Sequence, residues 1–257
     1  MVFLVKDFDR IDVIQEIEGV LRNETRLHIG GGEPLTPGQP VDRSVIKMKV
    51  LRENEVVSIP YIPGSSLKGV LRSLAERFAK SMEEDIAKSV CDPLDIVRRE
   101  REREQHEKNP CIVCQIFGNT GVASHVTVFD CLPEGEKNPP TEIKPGIGIH
   151  RVLRSVYPRL LFSEEYVSPG VRWSFRIRIV NIDLDDDNDA RSKLLRMLLK
   201  ELVEGRVQIG GRKSVGSGLI KLLASETKIR KFKLENGELK KVFEKTLEEW
   251  MQEKGLL

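Results

Sequence analysis

The stretch Val171-Arg-Trp-Ser-Phe-Arg-Ile-Arg-Ile-Val180 alternates apolar and polar residues along its length. A repeat of two residues is the period of a β-strand with one buried face, which makes this the clearest strand in the sequence. Its polar positions include Arg172, Arg176 and Arg178. The stretch therefore predicts a strand with an apolar face and a face that bears arginines.

The segments on either side of this strand predict the order strand, helix, strand, strand, helix, strand. A first strand is expected over 11–22 and a short third element, again a strand, over 122–132. Apolar residues at helical spacing mark the first helix (Leu67, Val70, Leu71, Leu74 and Phe78) and the second (Leu194, Leu195, Leu198 and Leu202). Asp189 is the expected N-cap of the second helix, which stops at Gly205. This order predicts an α+β fold with a ferredoxin-like core of the RNA-recognition-motif type.

The rest of the chain is expected to form insertions in a single domain that spans residues 1–257. We expect a proline-rich loop within about 33–60, a second insertion at about 81–121, and a third at about 133–170 with too little periodicity for a core element. A charged helix is expected over 240–257. The alternating charges of 98–104 predict a solvated face with no function of its own.

Composition limits the partners that the chain can have. The 257 residues are 39% hydrophobic and 32% charged, which is ordinary for a globular protein. Lys and Arg number 42 against 40 Asp and Glu, so a site for anions must be a local patch. No apolar run is long enough to span a membrane and residues 6–10 are too charged for a signal peptide, which predicts a cytoplasmic protein without a membrane partner.

A glycine-rich stretch, Val207-Gln-Ile-Gly-Gly-Arg-Lys-Ser-Val-Gly-Ser-Gly-Leu219, lies between apolar segments. Its glycines allow positive φ and close backbone approach, and Arg212 and Lys213 add positive charge. Gly210, Gly211, Arg212 and Lys213 are therefore candidates for contact with a phosphate backbone. The alternative is a tight turn that needs glycine for its geometry alone.

The start of the first helix is a second candidate for phosphate binding. Ser65 or Ser66 can cap this helix and offer hydroxyls beside its free N–H groups, while Lys68 and Arg72 lie opposite the apolar stripe. The alternative is a capped core helix whose lysine and arginine are merely solvated.

Cysteine and histidine spacing predicts a metal site in the second insertion. Cys91, His106, Cys111 and Cys114 form the pattern C-x14-H-x4-C-x2-C. Three sulfurs and an imidazole favour zinc, and four protein ligands leave no open position for catalysis, so the predicted zinc is structural. The alternative is a set of unpaired core cysteines, which is the interpretation for Cys131.

Several ordered segments resemble the RAMP superfamily of CRISPR-associated proteins, in particular the repeated backbone subunit of type III effector complexes. The matching segments are Leu27-His-Ile-Gly-Gly31, Val41-Asp-Arg-Ser-Val-Ile46, Ile62-Pro-Gly-Ser-Ser-Leu-Lys-Gly-Val-Leu-Arg72, Cys111–Gly118, Ile143-Lys-Pro-Gly-Ile-Gly-Ile-His-Arg151 and the closing glycine-rich stretch. Each segment alone is a weak motif, whereas the ordered set is specific.

The resemblance implies copies of a modified RNA-recognition fold that stack along a CRISPR RNA, contact other type III subunits and hold complementary target RNA. Residues 133–170 look like the family's thumb, which displaces a nucleotide at regular intervals. Asp42 matches the aspartate that cuts the target in each gap, and His28 and Arg151 match positions near the RNA. His150 stands where many relatives carry an acidic residue.

The predicted activity is an endoribonuclease that acts within the complex. Asp42 could bind a divalent cation, magnesium or manganese, or help to move a proton, and it could instead be a loop aspartate in an Asx-turn. Two alternatives keep the same fold. One is a non-catalytic scaffold, and the other is a stand-alone CRISPR RNA processing endoribonuclease, which would use a histidine or similar general base. The four histidines (His28, His106, His125 and His150) include the one assigned to zinc and form no evident catalytic set.

Overall fold

The computed structural model describes residues 10–32, 41–52, 54–91, 110–119, 121–135, 138–235 and 237–257. Part of the loop before Asp42, the charge run 98–104 and His106 lie outside these ranges. No helix within the described ranges is long and apolar enough to cross a membrane.

The described ranges contain five α-helices and eleven strands. The helices are α1 (Gly64–Ala79), α2 (Glu84–Ser89), α3 (Ile112–Phe117), α4 (Ala190–Val203) and α5 (Leu247–Glu253). The strands are β1 (Val13–Asn23), β2 (Lys47–Arg52), β3 (Glu55–Pro60), β4 (Val126–Val128), β5 (Thr141–Ile149), β6 (Val156–Val167), β7 (Arg172–Val180), β8 (Val207–Gln208), β9 (Leu219–Leu222), β10 (Lys228–Glu235) and β11 (Glu238–Thr246).

Strand β1 is the centre of a seven-stranded antiparallel sheet. One of its edges pairs with β7, which pairs in turn with the short strand β4. Its other edge is shared, because β10 pairs with residues 13–18 and β9 with residues 21–23. Strands β11 and β8 extend the sheet by pairing with β10 and β9. The predicted strand 171–180 is thus confirmed as β7, next to the longest strand of the sheet.

Helices α1, α3 and α4 cover one face of this sheet. Leu71 of α1, Phe117 of α3 and Leu198 of α4 meet Ile177 and Ile179 of β7 in one apolar cluster. The opposite face of β7 bears arginines, as predicted, and they are paired across strands: Arg176 and Arg178 contact Glu16, while Arg172 contacts Glu134 and Glu226. The molecule is a mixed α/β protein with an antiparallel sheet.

The expected C-terminal helix is wrong over its first half. Residues 240–246 continue strand β11, and only Leu247–Glu253 are helical. The sequence carries a signal for this hairpin, because Asn-Gly between two segments that alternate apolar and polar residues favours a tight turn between antiparallel strands. Gly237 has a φ of +81°, as such a turn requires. Charged residues suit both a solvated helix and an edge strand, so composition alone does not separate them.

The first and third expected insertions contain hairpins, and the second insertion contributes a helix to the main core. Strands β2 and β3 form a hairpin within 33–60, and β5 and β6 form a long hairpin within 133–170. Helix α3 lies in the 81–121 insertion, and its Ile116 and Phe117 are buried in the main core. A six-residue helix is too short to show a clear helical period in sequence.

The acidic turn 183–189 is held by cations of the protein. Asp185 accepts hydrogen bonds from Lys231 and from the Trp250 indole, which locks α5 against β10. Asp187 pairs with Arg196. Asp189 caps α4 through the Arg191 amide, as predicted.

Candidate nucleic-acid interface and metal centre

The glycine-rich stretch packs directly on the backbone of His28. The Gly211 amide donates to the His28 carbonyl at 2.8 Å. Gly210 has a φ of +82°, and a Cβ there would lie 2.2 Å from the same carbonyl oxygen. Glycine is therefore required for close packing at this point, and the loop's geometry alone explains Gly210.

We expect Gly210→Ala to destabilise the protein by about 3 kcal/mol, through positive-φ strain together with the steric clash at His28. The matched control is Gly216→Ala. Gly216 has nearly the same φ, +83°, but a methyl group added to it would have no atom within 4 Å, so only the strain of roughly 1 kcal/mol remains. Urea unfolding of both variants checks the difference. Equal losses would show that close packing on His28 does not matter.

His28 lies under this loop and is 7% exposed. Its Nδ1 is 2.7 Å from the Glu165 carbonyl oxygen, and its ring centroid lies 5.4 Å from that of Tyr166. These contacts tie the segment that follows β1 to strand β6. The predicted contact of His28 with RNA remains a prediction, and the ring's evident role is to join the glycine loop to the β5–β6 hairpin.

Glu164 of β6 is the centre of a buried ion-pair cluster. Its side chain is 5% exposed. It accepts bidentate hydrogen bonds from the Arg212 guanidinium at 2.8–3.1 Å. It also accepts one hydrogen bond from Arg43 at 3.0 Å and one from the Tyr166 hydroxyl at 2.8 Å. Burial acts to raise the pKa of Glu164, but the hydrogen bonds and charge of Arg212, together with Tyr166 and Arg43, lower it below the ordinary glutamate value.

Arg212 therefore stabilises the fold through its ion pair with Glu164, whether or not a ligand is bound. Its guanidinium also lies 5.1 Å from the Phe162 ring centre, and its backbone is left-handed, with a φ of +57°. Lys213 begins the short 3-10 turn Lys213–Val215 and is exposed. The two predicted cations of the loop thus have different surroundings, one held by a carboxylate and one in solvent.

We expect Glu164→Gln to lower the free energy of unfolding by about 2 kcal/mol at pH 7, because an amide cannot satisfy two guanidiniums. A carboxylate with a lowered pKa stabilises the fold above its unfolded pKa, and this contribution is lost as the pH falls through the folded value. The difference between the two proteins should shrink below about pH 4.3. Urea unfolding as a function of pH measures it.

The control for that experiment is Glu18→Gln. Glu18 pairs with Arg230 on the outer sheet face, where its side chain is 49% exposed, so its loss should cost less than about 1 kcal/mol. A loss at Glu164 no larger than at Glu18 would contradict the central role of the buried carboxylate.

Asp42 is fixed at the base of the β5–β6 hairpin. Its Oδ2 accepts hydrogen bonds from the Ser163 amide at 2.6 Å and from the Ser163 hydroxyl at 3.0 Å. Both bonds end on the same oxygen, so Ser163 does not use Oδ1. The carboxylate is exposed, and the Ser163 amide and hydroxyl lower the pKa of Asp42 below its ordinary value. The side chain is an oriented, ionised carboxylate at neutral pH.

The main chain around Asp42 runs beside β6. The Arg43 amide donates to the Ser163 carbonyl, and the Glu165 amide donates to the Arg43 carbonyl. The Glu165 carboxylate accepts from the Val45 amide and from Lys47. An Asx-turn within the loop is therefore not what holds Asp42, because its partners are 121 residues away in sequence.

The start of α1 is capped in a different way from the expected one. Pro63, not a serine, occupies the N-cap position, and the Gly64 amide donates to the Asp130 side chain at 2.7 Å. A Cβ on Gly64 would meet the Val128 carbonyl, so the helix start is pressed against the segment after β4. Ser65 is exposed and Ser66 half-buried, which leaves both at the surface of the first turn.

Lys68 and Arg72 contact residues that follow α3 and are not simply solvated. Lys68 donates to the Ser124 hydroxyl at 2.8 Å, and burial next to the Arg72 charge lowers the pKa of Lys68. Arg72 donates to the Gly118 carbonyl at 2.8 Å and lies 3.5 Å from the Cys114 sulfur. These contacts join α1 to the segment around α3, whereas the glycine loop contacts His28 and Glu164.

Arg151 lies at the exposed turn between β5 and β6. Next to it, the His150 ring stacks on Tyr157 at 5.9 Å between ring centres, and its Nδ1 accepts from the Leu153 amide. The structure thus gathers His28, Asp42, Arg212 and Lys213 near the hairpin base, and places Arg151 at the opposite end.

Cys91, Cys111 and Cys114 converge beside α3. The Cys91 sulfur is 3.6 Å from that of Cys111 and 3.4 Å from that of Cys114. Within the described ranges, no other group of three or more His, Cys, Asp or Glu side chains is close enough to share a metal ion. Hydrogen bonds from the Cys114 and Cys91 thiols lower the pKa of Cys111. A tetrahedral zinc with Zn–S bonds of about 2.3 Å sets its sulfurs about 3.8 Å apart, which these positions fit.

Sequence reasoning missed the residues that build the hairpin base around Asp42, among them Arg43, Phe162 and Ser163. Arg43 lies inside one of the family-like motifs, and its position next to Asp42 was the available signal. Nothing in the local sequence of β6 shows that Glu164 and Glu165, at 4% and 7% exposure, are buried next to one another.

Comparison with known proteins gives the class to which this chain belongs. A model of the RAMP superfamily matches residues 20–221, and the chain belongs to this superfamily. Over 219 residues, 80% of this chain and 77% of the relative, it is 27% identical to the CRISPR system Cms endoribonuclease Csm3 of Methanocaldococcus jannaschii. Over 79 residues, 31% of this chain and 32% of the relative, it is 40% identical to the protein of the same name from Streptococcus thermophilus. The resemblance seen in the sequence motifs is confirmed.

Proposed function

We propose that this chain is a CRISPR RNA-binding backbone subunit of a type III interference complex, which stacks along the guide RNA and cleaves complementary target RNA at regular intervals. Membership in the RAMP superfamily and likeness to two proteins named as CRISPR endoribonucleases support this function. The sheet supports the ferredoxin-like core, because β9, β1, β7 and β4 lie side by side in that order. Along the chain, α1 lies between β1 and β4, and α4 lies between β7 and β9.

The observation that carries the proposal is the setting of Asp42. An ionised, exposed carboxylate is oriented by Ser163 at the base of the hairpin that corresponds to the thumb, and the next residue, Arg43, contacts Glu164 together with Arg212. The test is target cleavage by a reconstituted complex with and without this carboxylate.

The proposed reaction is a transesterification within the RNA. The 2′-oxygen forms a bond to phosphorus as its proton leaves, and the bond from phosphorus to the 5′-oxygen breaks as that oxygen takes up a proton. A lowered pKa makes Asp42 a weak base, so its ionised oxygen is better suited to binding a cation than to removing the 2′-proton.

A divalent cation, magnesium or manganese, would supply Lewis-acid stabilisation of the developing phosphorane charge. Asp42 fits such an ion because its Oδ1 is not used by Ser163 and the neighbouring Glu164 and Glu165 are engaged by cations. Magnesium is commonly held by one or two carboxylates with substrate phosphates. Asp42 would therefore hold the ion together with the RNA.

We also propose that Cys91, Cys111 and Cys114 hold a structural zinc with His106 as the fourth ligand. The three described sulfurs are at distances suited to zinc, and Arg72 links this centre to α1. Zinc in this position would fix α3 against the core.

Partner binding by further copies of the chain is supported by the β5–β6 hairpin. Its outer part exposes large apolar side chains, among them Val152 at 83%, Leu153 at 71% and Leu161 at 71%. Solvated hairpins rarely carry so many. We propose that neighbouring subunits and RNA cover this surface in the complex.

The stand-alone processing enzyme is the weaker candidate. His28 and His125 are 7% and 1% exposed, and His150 is tied to Leu153, so these rings are poorly placed to act as a general base on RNA. Incubating the isolated chain with precursor repeat RNA separates the two functions. The backbone subunit should leave that RNA intact, whereas a processing enzyme would cut it.

A further inference from the structure

Two arginines from distant parts of the chain converge at the base of the hairpin. Arg43 Nη1 and Arg212 Nη2 both donate to the same oxygen, Oε1 of Glu164, at 3.0 and 2.8 Å. Both guanidiniums also lie over Phe162, with the central carbon 5.7 Å from the ring centre for Arg43 and 5.1 Å for Arg212. The two cations are thus held side by side by one carboxylate and one aromatic ring.

The hydrogen-bond donors of the two arginines are not all used within this cluster. Two guanidiniums share one carboxylate, and Glu164 also accepts from Tyr166, so its oxygens are fully used. Arg43 uses one nitrogen of its fork for Glu164, and its side chain is 60% exposed; that of Arg212 is 36% exposed. Donors left over from both guanidinium forks therefore face solvent at this point.

We propose that Arg43 and Arg212 form a two-guanidinium clamp for one phosphodiester of bound RNA, with Glu164 and Phe162 as the residues that position it. A phosphodiester carries negative charge and two free oxygens, which match the unused planar donors of the two arginines. The inference rests on the proposed function and adds to it a phosphate-binding site next to Asp42.

The location favours the phosphate that reacts. Asp42 and Arg43 are adjacent, and their side chains are fixed by the adjacent residues Ser163 and Glu164 of β6. Carboxylate and clamp therefore have a constant spacing on one strand. Guanidiniums next to a phosphorane stabilise the charge that develops on its oxygens, so Arg43 would touch the reacting group, while Glu164 acts through the two arginines.

The test variant is Arg43→Gln in the complex assembled on guide RNA. Target affinity is measured over a range of salt with a 2′-O-methyl target that lacks the attacking hydroxyl, and cleavage is measured in single turnovers with ordinary RNA. We expect target affinity to fall several-fold, the salt slope to decrease by about 1, and the cleavage rate to fall on the order of 100-fold. Arg43→Lys, which keeps charge but not the fork, should recover part of the rate.

The matched control is Arg206→Gln. Arg206 is also an exposed arginine paired with a glutamate, Glu201, but it lies at the end of α4. This variant should leave affinity, slope and rate unchanged.

The arms of the experiment separate the two sources of phosphate. A changed salt slope for target binding places a target phosphate in the clamp, and a changed slope for guide binding places a guide phosphate there. Unchanged slopes in both arms would overturn the clamp. Because the affinities need no cleavage, they test the clamp even if Asp42 proves silent.

Discussion

Replacing Asp42 by alanine should abolish target cleavage, with a rate loss of at least about 100-fold, while RNA binding and assembly stay intact. The side chain is exposed and makes its hydrogen bonds only at the edge of β6, so its removal leaves the core unchanged. Single-turnover cleavage and target affinity in the reconstituted complex measure the two effects separately. A loss confined to cleavage is the signature of a group that acts on the transition state.

Asp42→Asn separates position from charge. An asparagine oxygen can still accept from Ser163, so the side chain keeps its place but not its negative charge. We expect cleavage to be lost in this variant too. Because Ser163 lowers the pKa of Asp42, the carboxylate stays ionised well below neutral pH, and any fall of the rate between pH 7 and 5 must come from another group.

The control for both variants is Asp186→Ala. Asp186 is an exposed loop aspartate that accepts from the Asn188 amide, the kind of local turn that the sequence also allowed for Asp42. It should cleave at the normal rate. Normal cleavage by Asp42→Ala as well would show that the chain is a scaffold whose loop aspartate is silent.

Replacing Cys114 by serine should remove the bound zinc and lower the melting temperature by several degrees or more. Structural zinc contributes on the order of 10 kcal/mol in small domains, and here α3 and Arg72 connect the centre to the main core. Zinc content by elemental analysis and thermal unfolding measure the effect. Chelator treatment of the unchanged protein should produce the same shift.

Cys131→Ala is the matched control, because Cys131 is fully buried but bridges Ile62 away from the cluster. It should cost some packing energy and keep one zinc per chain. Wild-type protein prepared without chelators and found free of zinc would contradict the metal assignment.

Local sequence was sufficient where the signal repeats within one element. The strand β7, the two long helices and the Asp189 cap follow from periodicity and a capping residue, and all are present. It was insufficient for the serine cap of α1, because the competing acceptor, Asp130, comes from 66 residues away. The charged end of the chain failed for a related reason, since pairing with β10 decides its conformation.

The sequence by itself determined the family and the core strands and helices of the main sheet, and it singled out Asp42 as a candidate, because each depends on short motifs or on a repeat within one segment. Only the tertiary structure decided what surrounds Asp42. Ser163 reaches Asp42 from 121 residues away, and Glu164 reaches the neighbouring Arg43 from the same distance along the chain. Arg212 joins Glu164 from 48 residues away, and no local pattern encodes these contacts. Burial then forces two neighbouring carboxylates to find cations, and this requirement creates the charged base of the hairpin.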